Sequence, residues 1–208
     1  GSLETIDITQ ATLELNDSRA TVRGRIERAP QLAADLTIDL ERLDPHLFHE
    51  SLSGALSGRV EVAVRNEDLQ VVIASVDGDL NRTAFRGSGH VSRVGGVWTA
   101  RDVEIRSGPN RAALTLDWDG ERVNGGAELD MPELATLLPE LRGDLKGNVK
   151  FAGTRDKPNL VGGIASRKLD YLEWSLRGLR ADATSNDARS GRTHVEIASA
   201  ARGDLRID

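Results

Sequence analysis

Apolar and charged residues alternate one by one along most of this chain, and that period of two constrains its fold more than any other feature. Leu36, Ile38 and Leu40 interleave with Asp35, Thr37, Asp39 and Glu41, and Val60, Val62 and Val64 with Arg59, Glu61, Ala63 and Arg65. Leu114, Leu116 and Trp118 interleave with Thr115, Asp117 and Asp119, and Val149 and Phe151 with Asn148 and Lys150. A strand sends successive side chains to opposite faces, so each run is apolar on one side and charged on the other. Turn signals separate the runs: Asn16-Asp17, Asn66-Glu67-Asp68, Asp77-Gly78, Gly95-Gly96, Gly108-Pro109-Asn110, Asp119-Gly120 and Asn124-Gly125-Gly126. Their spacing predicts roughly 13 to 16 strands. One-sided alternation favours antiparallel pairing, because parallel sheets covered on both faces read as continuous apolar runs.

Helical signal is confined to two short segments, near residues 44–49 and 132–138. In each an acidic residue precedes a proline, Asp44-Pro45 and Asp130-Met131-Pro132, as a short helix start prefers, and Pro139 ends the second. The two segments are landmarks of an internal repeat. Leu52-Ser-Gly54-Ala-Leu56-Ser-Gly58-Arg-Val60 aligns with Leu141-Arg-Gly143-Asp-Leu145-Lys-Gly147-Asn-Val149 at an offset of 89 residues. At the same offset Leu40 meets Leu129, Phe48 meets Leu137, Leu80 meets Leu169 and Phe85 meets Trp174. Residues 3–208 therefore read as a single elongated β-domain of about two repeats, approximately 38–126 and 127–208, an extended array rather than a closed globule. Gly1-Ser2 reads as a cloning scar, and the chain stops at Asp208 within a strand-like run, as an excised fragment does.

Composition removes several function classes. The 208 residues include no Cys, which excludes disulfide scaffolds and cysteine-ligated zinc or iron–sulfur sites. A net charge of −6 argues against general nucleic-acid binding, since there is no excess of cations to displace counterions from phosphates. No apolar run is long enough for a spanning helix. His46-x-x-His49 with Glu50 has the spacing of two metal ligands on a helix, but no third ligand follows at a fixed distance, and an exposed turn explains it equally. Asp117-Trp-Asp119-Gly120-Glu121 places Gly too early for a calcium loop and reads as a hairpin turn. Gly87-Ser88-Gly89 fits neither a dinucleotide-binding loop nor a nucleophile elbow. No paired carboxylates stand apart from those that alternate along strands, so the expectation is a non-enzyme with no metal and no cofactor.

The alternation supplies enough apolar side chains to coat one face of a long sheet, with almost no helix to cover it. Either two sheets pack as a sandwich around a closed core, giving a structural or adhesive β-repeat scaffold, or one sheet curls on itself. An apolar face left uncovered would aggregate unless it served as a binding surface. Only seven aromatic residues are present, so that coat is mostly Val, Leu, Ile and Ala, a smooth wall suited to hydrocarbon.

Gly108-Pro-Asn110-Arg-Ala-Ala-Leu114-Thr-Leu116 and the run from Ala127 through Leu129, Met131-Pro132, Leu134, Leu137-Leu138-Pro139, Leu141, Gly143, Leu145 and Gly147 resemble the TamB family of the translocation and assembly module, in its C-terminal region. Gly153-Thr154, Pro158, Leu160, Ile164 and Leu169 continue the likeness, which is strongest over about residues 100–183. The resemblance implies an AsmA-like, taco-shaped, mostly antiparallel β-sheet with an apolar inner groove. It also implies a periplasmic location in a Gram-negative parent anchored in the inner membrane, partnered with the BamA-like outer-membrane barrel protein TamA. The implied role is outer-membrane biogenesis, by carrying phospholipid acyl chains or shielding nascent outer-membrane strands between the two membranes. On that reading Leu36, Ile38, Leu40, Val60, Val62, Val64, Leu114, Leu116, Trp118, Ala127, Leu129, Val149 and Phe151 line the groove, and Asp39, Glu61, Asp117 and Lys150 face outward.

Overall fold

The computed structural model describes residues 5–28, 30–154, 157–184, 192–202 and 205–207. The alternating runs all become strands: β1 (Thr5–Leu15), β2 (Ser18–Glu27), β3 (Ala33–Leu43), β4 (Gly54–Arg65), β5 (Asp68–Leu80), β6 (Thr83–Val94), β7 (Val97–Ser107) and β8 (Asn110–Trp118). They continue with β9 (Arg122–Met131), β10 (Leu141–Gly143), β11 (Leu145–Thr154), β12 (Pro158–Tyr171), β13 (Trp174–Thr184), β14 (Arg192–Glu196), β15 (Ser199–Arg202) and β16 (Leu205–Ile207). These form one 16-stranded sheet whose neighbours follow chain order. All pairings among the described residues are antiparallel. β10 and β11 lie end to end against β12, and β14 and β15 end to end against β13, so each couple acts as one interrupted strand.

The sheet does not close: its path runs from β1 at one edge to β16 at the other. Among the described residues it has no second layer either. Helix among the described residues amounts to two three-residue 3₁₀ turns, Pro45–Leu47 and Leu134–Thr136, inside the two predicted segments. No helix there is long and apolar enough to cross a membrane. Surface area expresses the same architecture. The chain exposes 13877 Å², against about 9,500 Å² for a compact monomer of its mass. Among the described residues the buried hydrophobic side chains are few: Ala34, Leu56, Leu80, Ala100 and Leu134, with Pro45 also buried. A two-sheet sandwich would bury an entire inner face, so the choice left open by the pattern falls to a single curled sheet.

Bulges bend the strands. Register shifts occur between Ile8 and Ala11, Leu40 and Leu43, Arg59 and Val60, Ile73 and Val76, Ser88 and His90, and Ala100 and Val103. Each extra residue kinks its strand and adds twist, which curls a sheet that would otherwise stay open and flat. In an antiparallel meander every second connection returns to the same end. Both 3₁₀ turns therefore stand on one margin, with the hairpin turns at 16–17, 81–82, 108–109 and 172–173. The connections at 66–67, 95–96 and 119–121 make the opposite margin.

Candidate functional site

Directly opposed residues across the ladders trace a continuous apolar row. Gly24 faces Leu36, which faces Val62, then Val71, Val91, Ala100, Leu116, Gly125, Phe151 and Leu160, crossing from β2 to β12. A neighbouring row runs Val22, Ile38, Val60 and Ile73, and on the other side of the bulges Val103, Leu114, Ala127, Val149 and Gly162. Leu40 sits opposite Gly58, Leu129 between Ala112 and Gly147, Val64 between Ala34 and Leu69, and Trp118 opposite Trp98. Register thus places all thirteen residues named above on one face of the sheet. None of them is buried. Leu114 and Trp118 are exposed, at 36% and 45%, and the other eleven are half-buried.

Close backbone approach shapes this wall. A Cβ on Gly125 would stand 2.2 Å from the Thr115 carbonyl oxygen and 2.8 Å from the Phe151 ring, so only glycine leaves room for that ring to lie against the sheet.

Sequence reasoning missed the middle of the face. Val71, Ile73, Val76, Val91, Ala100 and Val103 on β5 to β7 share it, yet Val71-Val72-Ile73 is a continuous apolar run, and a bulge then reverses the parity before Val76. Cross-strand partnership, not local alternation, is the signal that finds them.

The other face is a lattice of ion pairs. Asp39 bridges Arg23 at 2.8 Å and Arg59 at 2.7 Å across three strands, Arg65 holds Asp35 at 2.7 Å, and Glu104 takes Arg106 at 2.9 Å and Arg111 at 2.8 Å. The hydrogen bond from Arg59, outweighing partial desolvation and helped by the charge of Arg23, holds the Asp39 carboxyl below the usual carboxylate range. Glu61 and Lys150 are exposed on this side. Asp117 belongs to it by register yet is half-buried like its neighbour Leu116, because Arg101 folds over it as an ion-pair partner. Exposure alone therefore does not separate the two faces at this point; register does. A hollow of about 640 Å³ spans β7, β8, β9 and β11, walled mainly from the polar side by residues such as Glu104, Arg111, Glu128, Asn148 and Lys150. Val103, Leu114, Gly125, Ala127 and Val149 of the apolar rows also line it.

The other chemical candidates resolve into local structure. His46 and His49 are exposed, and His49 Nδ1 pairs with the Ser51 hydroxyl at 2.8 Å. Asp119 accepts the Glu121 and Arg122 backbone N–H groups at 2.9 and 2.6 Å, which makes the expected turn between β8 and β9 and lowers its carboxyl pKa, the Arg122 bond contributing most. Among the described residues no three His, Asp or Glu side chains gather where they could hold a metal ion.

The sequence that folds into this open, meandering sheet has relatives among known proteins. A family model described as the TamB N-terminal domain matches residues 1–208. The chain belongs to the TamB family. The matched region is named for the family's N-terminal domain, which corrects the C-terminal placement expected from the motifs. Leucine and glycine spaced as L-x-G-x-L-x-G report the geometry of a recurring strand, not its position along a long repeated array. The translocation and assembly module subunit TamB of Haemophilus influenzae is 24% identical over 215 residues, covering 100% of this chain and 16% of that protein. This chain thus spans about a sixth of the length of that TamB relative. No solved structure matches.

Proposed function

We propose that this stretch of a TamB-family protein is a segment of an apolar conduit. In this reading it lies in the periplasm, in a parent anchored in the inner membrane and partnered with the outer-membrane barrel protein TamA. Phospholipid acyl chains pass along it in support of outer-membrane biogenesis. One observation carries the reading: an apolar row ten strands wide, half-exposed along most of its length and buried at Ala100, with no covering layer among the described residues. A face of that extent in water is a liability unless something apolar occupies it.

Acyl chains suit this wall better than unfolded β-strands do. The backbone N–H and C=O groups behind the apolar rows are spent on neighbouring strands, so the wall offers no hydrogen bonds. A peptide laid across it would bury its own polar groups unpaired, at about 1–3 kcal/mol each; a hydrocarbon chain has none to bury. At ~4.8 Å between strands, about 14 rungs extend roughly 60 Å, the reach of one segment of a longer path.

The test is photo-crosslinking on the 208-residue chain. A crosslinker replacing Leu116 should capture phospholipid, while one replacing the adjacent Thr115 on the ion-paired face should not. Leu116→Arg should cost about 1–2 kcal/mol of stability, because the arginine stem stays on the wall while its charge reaches water. It should also remove most of the lipid captured by a crosslinker at Val91 in the same row. Equal capture at Leu116 and Thr115 overturns the reading.

A further inference from the structure

Among the described residues, one cross-strand row at the margin of the apolar face carries a single charge. Along the end of the strands opposite the 3₁₀ turns, direct partnership runs Ile6, Ile26, Ala34, Val64, Leu69, Arg93, Trp98, Trp118, Val123 and Gly153. Arg93 is the only ionisable member of that ten-strand row, and it shares the face with Val91, two residues further in. It is half-buried. Its side chain makes no hydrogen bond or ion pair among the described residues. Eleven other arginines are ion-paired. Three aspartates near this margin are already engaged: Asp68 accepts the Gly95 N–H at 2.8 Å, Asp119 holds its own turn, and Asp117 holds Arg101.

Two tryptophans continue this row on the next two strands. Trp98 stands directly opposite Arg93, and Trp118 directly opposite Trp98. Trp98 is half-buried and Trp118 is 45% exposed. Tryptophan favours boundaries where one end of the ring is apolar and the other wet. One pleat further in, the facing residues are Val91, Ala100 and Leu116, which are wholly apolar. The marginal row sets a cation beside an aromatic pair, and the next row inward is a hydrocarbon wall.

That order matches an amphiphile with an anionic head. We propose that Arg93, Trp98 and Trp118 form a headgroup station, where the guanidinium holds the phosphate of a lipid by paired charge-assisted hydrogen bonds. The indoles pack against the glycerol and upper chain, and the acyl chain lies along Val91, Ala100 and Leu116. The station rests on the reading of this face as an acyl-chain surface, and adds which end of the lipid lies at which margin. It also accounts for an inward cation that has no partner among the described residues of a protein of net charge −6: the partner comes with the cargo.

The test uses the 208-residue chain with Trp174→Phe, which leaves Trp98 and Trp118 as its only tryptophans. Indole emission is titrated with monomeric dihexanoyl phosphatidylglycerol, with dihexanoylglycerol, which lacks phosphate, and with inorganic phosphate. The phosphatidylglycerol should bind roughly tenfold tighter than the diacylglycerol. Arg93→Gln should abolish that preference while leaving diacylglycerol binding unchanged, and Arg93→Lys should restore part of it. A preference that survives Arg93→Gln overturns the station and leaves the apolar surface standing. If neither lipid binds, the acyl-chain reading fails and the station with it. If inorganic phosphate binds as tightly as phosphatidylglycerol while diacylglycerol does not bind, the site is one for free anions, and the lipid assignment is overturned.

Discussion

The two 3₁₀ turns, 89 residues apart on the same margin, are built alike and anchored differently. In both, the residue before the turn gives its backbone N–H to a buried side chain at the start of the strand two places earlier. Asp44 donates to the Ser18 hydroxyl at 3.0 Å, and Glu133 to the Asn110 carboxamide oxygen at 2.9 Å. Ser18 adds one bond of its own, to the Arg42 carbonyl at 3.2 Å. Asn110 adds two, to the Glu133 carbonyl at 2.8 Å and the Thr136 hydroxyl at 2.6 Å, and Asn81 reaches the Thr136 and Leu137 carbonyls at 3.4 Å. Packing differs only past the first residue of each turn. Pro45 and Leu134, equivalent at this offset, are both buried, whereas Leu47 and Phe48 in the first turn are 49% and 72% exposed. The lesson is that one backbone device can serve as a packed anchor or as a half-open one, depending on how many bonds a single clamp residue makes.

The largest expected effect tests the packing half of that comparison. Leu134→Ala should destabilise the chain by about 2–4 kcal/mol, as buried leucine truncations do. Phe48→Ala should cost less than about 0.5 kcal/mol, as exposed substitutions do. Denaturant melts of the two variants give both numbers, and equal losses would erase the distinction between the turns.

Next in size is the clamp itself. Asn110→Ala leaves the Glu133 N–H without its acceptor and removes one of three donors to the Glu133 carbonyl, and should cost about 2 kcal/mol, against about 1 kcal/mol for Ser18→Ala. A larger loss at Ser18 than at Asn110 would reverse which turn is the anchor.

Neither clamp was legible in the sequence. At the 89-residue offset Ser18 aligns with Ser107, which is fully buried and whose hydroxyl has no partner, while Asn110 does the clamping. The shift arises because the connection from β8 to β9 is shorter than that from β2 to β3, so strand position and sequence offset part company. What the sequence did reveal is what period two controls. Leu36, Val62 and Leu116 fall in one row because a one-residue slip would turn charge onto the apolar side. The bulge after Ile73 escaped it, since a continuous apolar run carries no parity. Arg93 escaped for a different reason: a lone charge in an alternating strand reads as outward until its cross-strand partners are known.

The smallest effect concerns the strand that follows each turn. β4 runs unbroken through Ala55, but the corresponding stretch splits into β10 and β11 at Asp144. The Asp144 carboxylate accepts the backbone N–H groups of Arg167 at 3.2 Å and Lys168 at 3.3 Å, and the Arg167 side chain at 3.2 Å. Desolvation pushes this carboxyl up, and those donors together outweigh it, leaving the group below the ordinary aspartate range. A carboxyl with a depressed folded pKa contributes stability above its unfolded pKa, near 3.9, and loses it as pH falls through the folded value. Asp144→Ala, which copies Ala55, should therefore cost about 0.5–1 kcal/mol at neutral pH. The cost should disappear once the pH is below both pKa values. Melts of the parent and Asp144→Ala chains should differ at pH 7 and converge in strong acid. A gap of constant size across that range would mean that the break depends on the shape of the side chain and not on its charge.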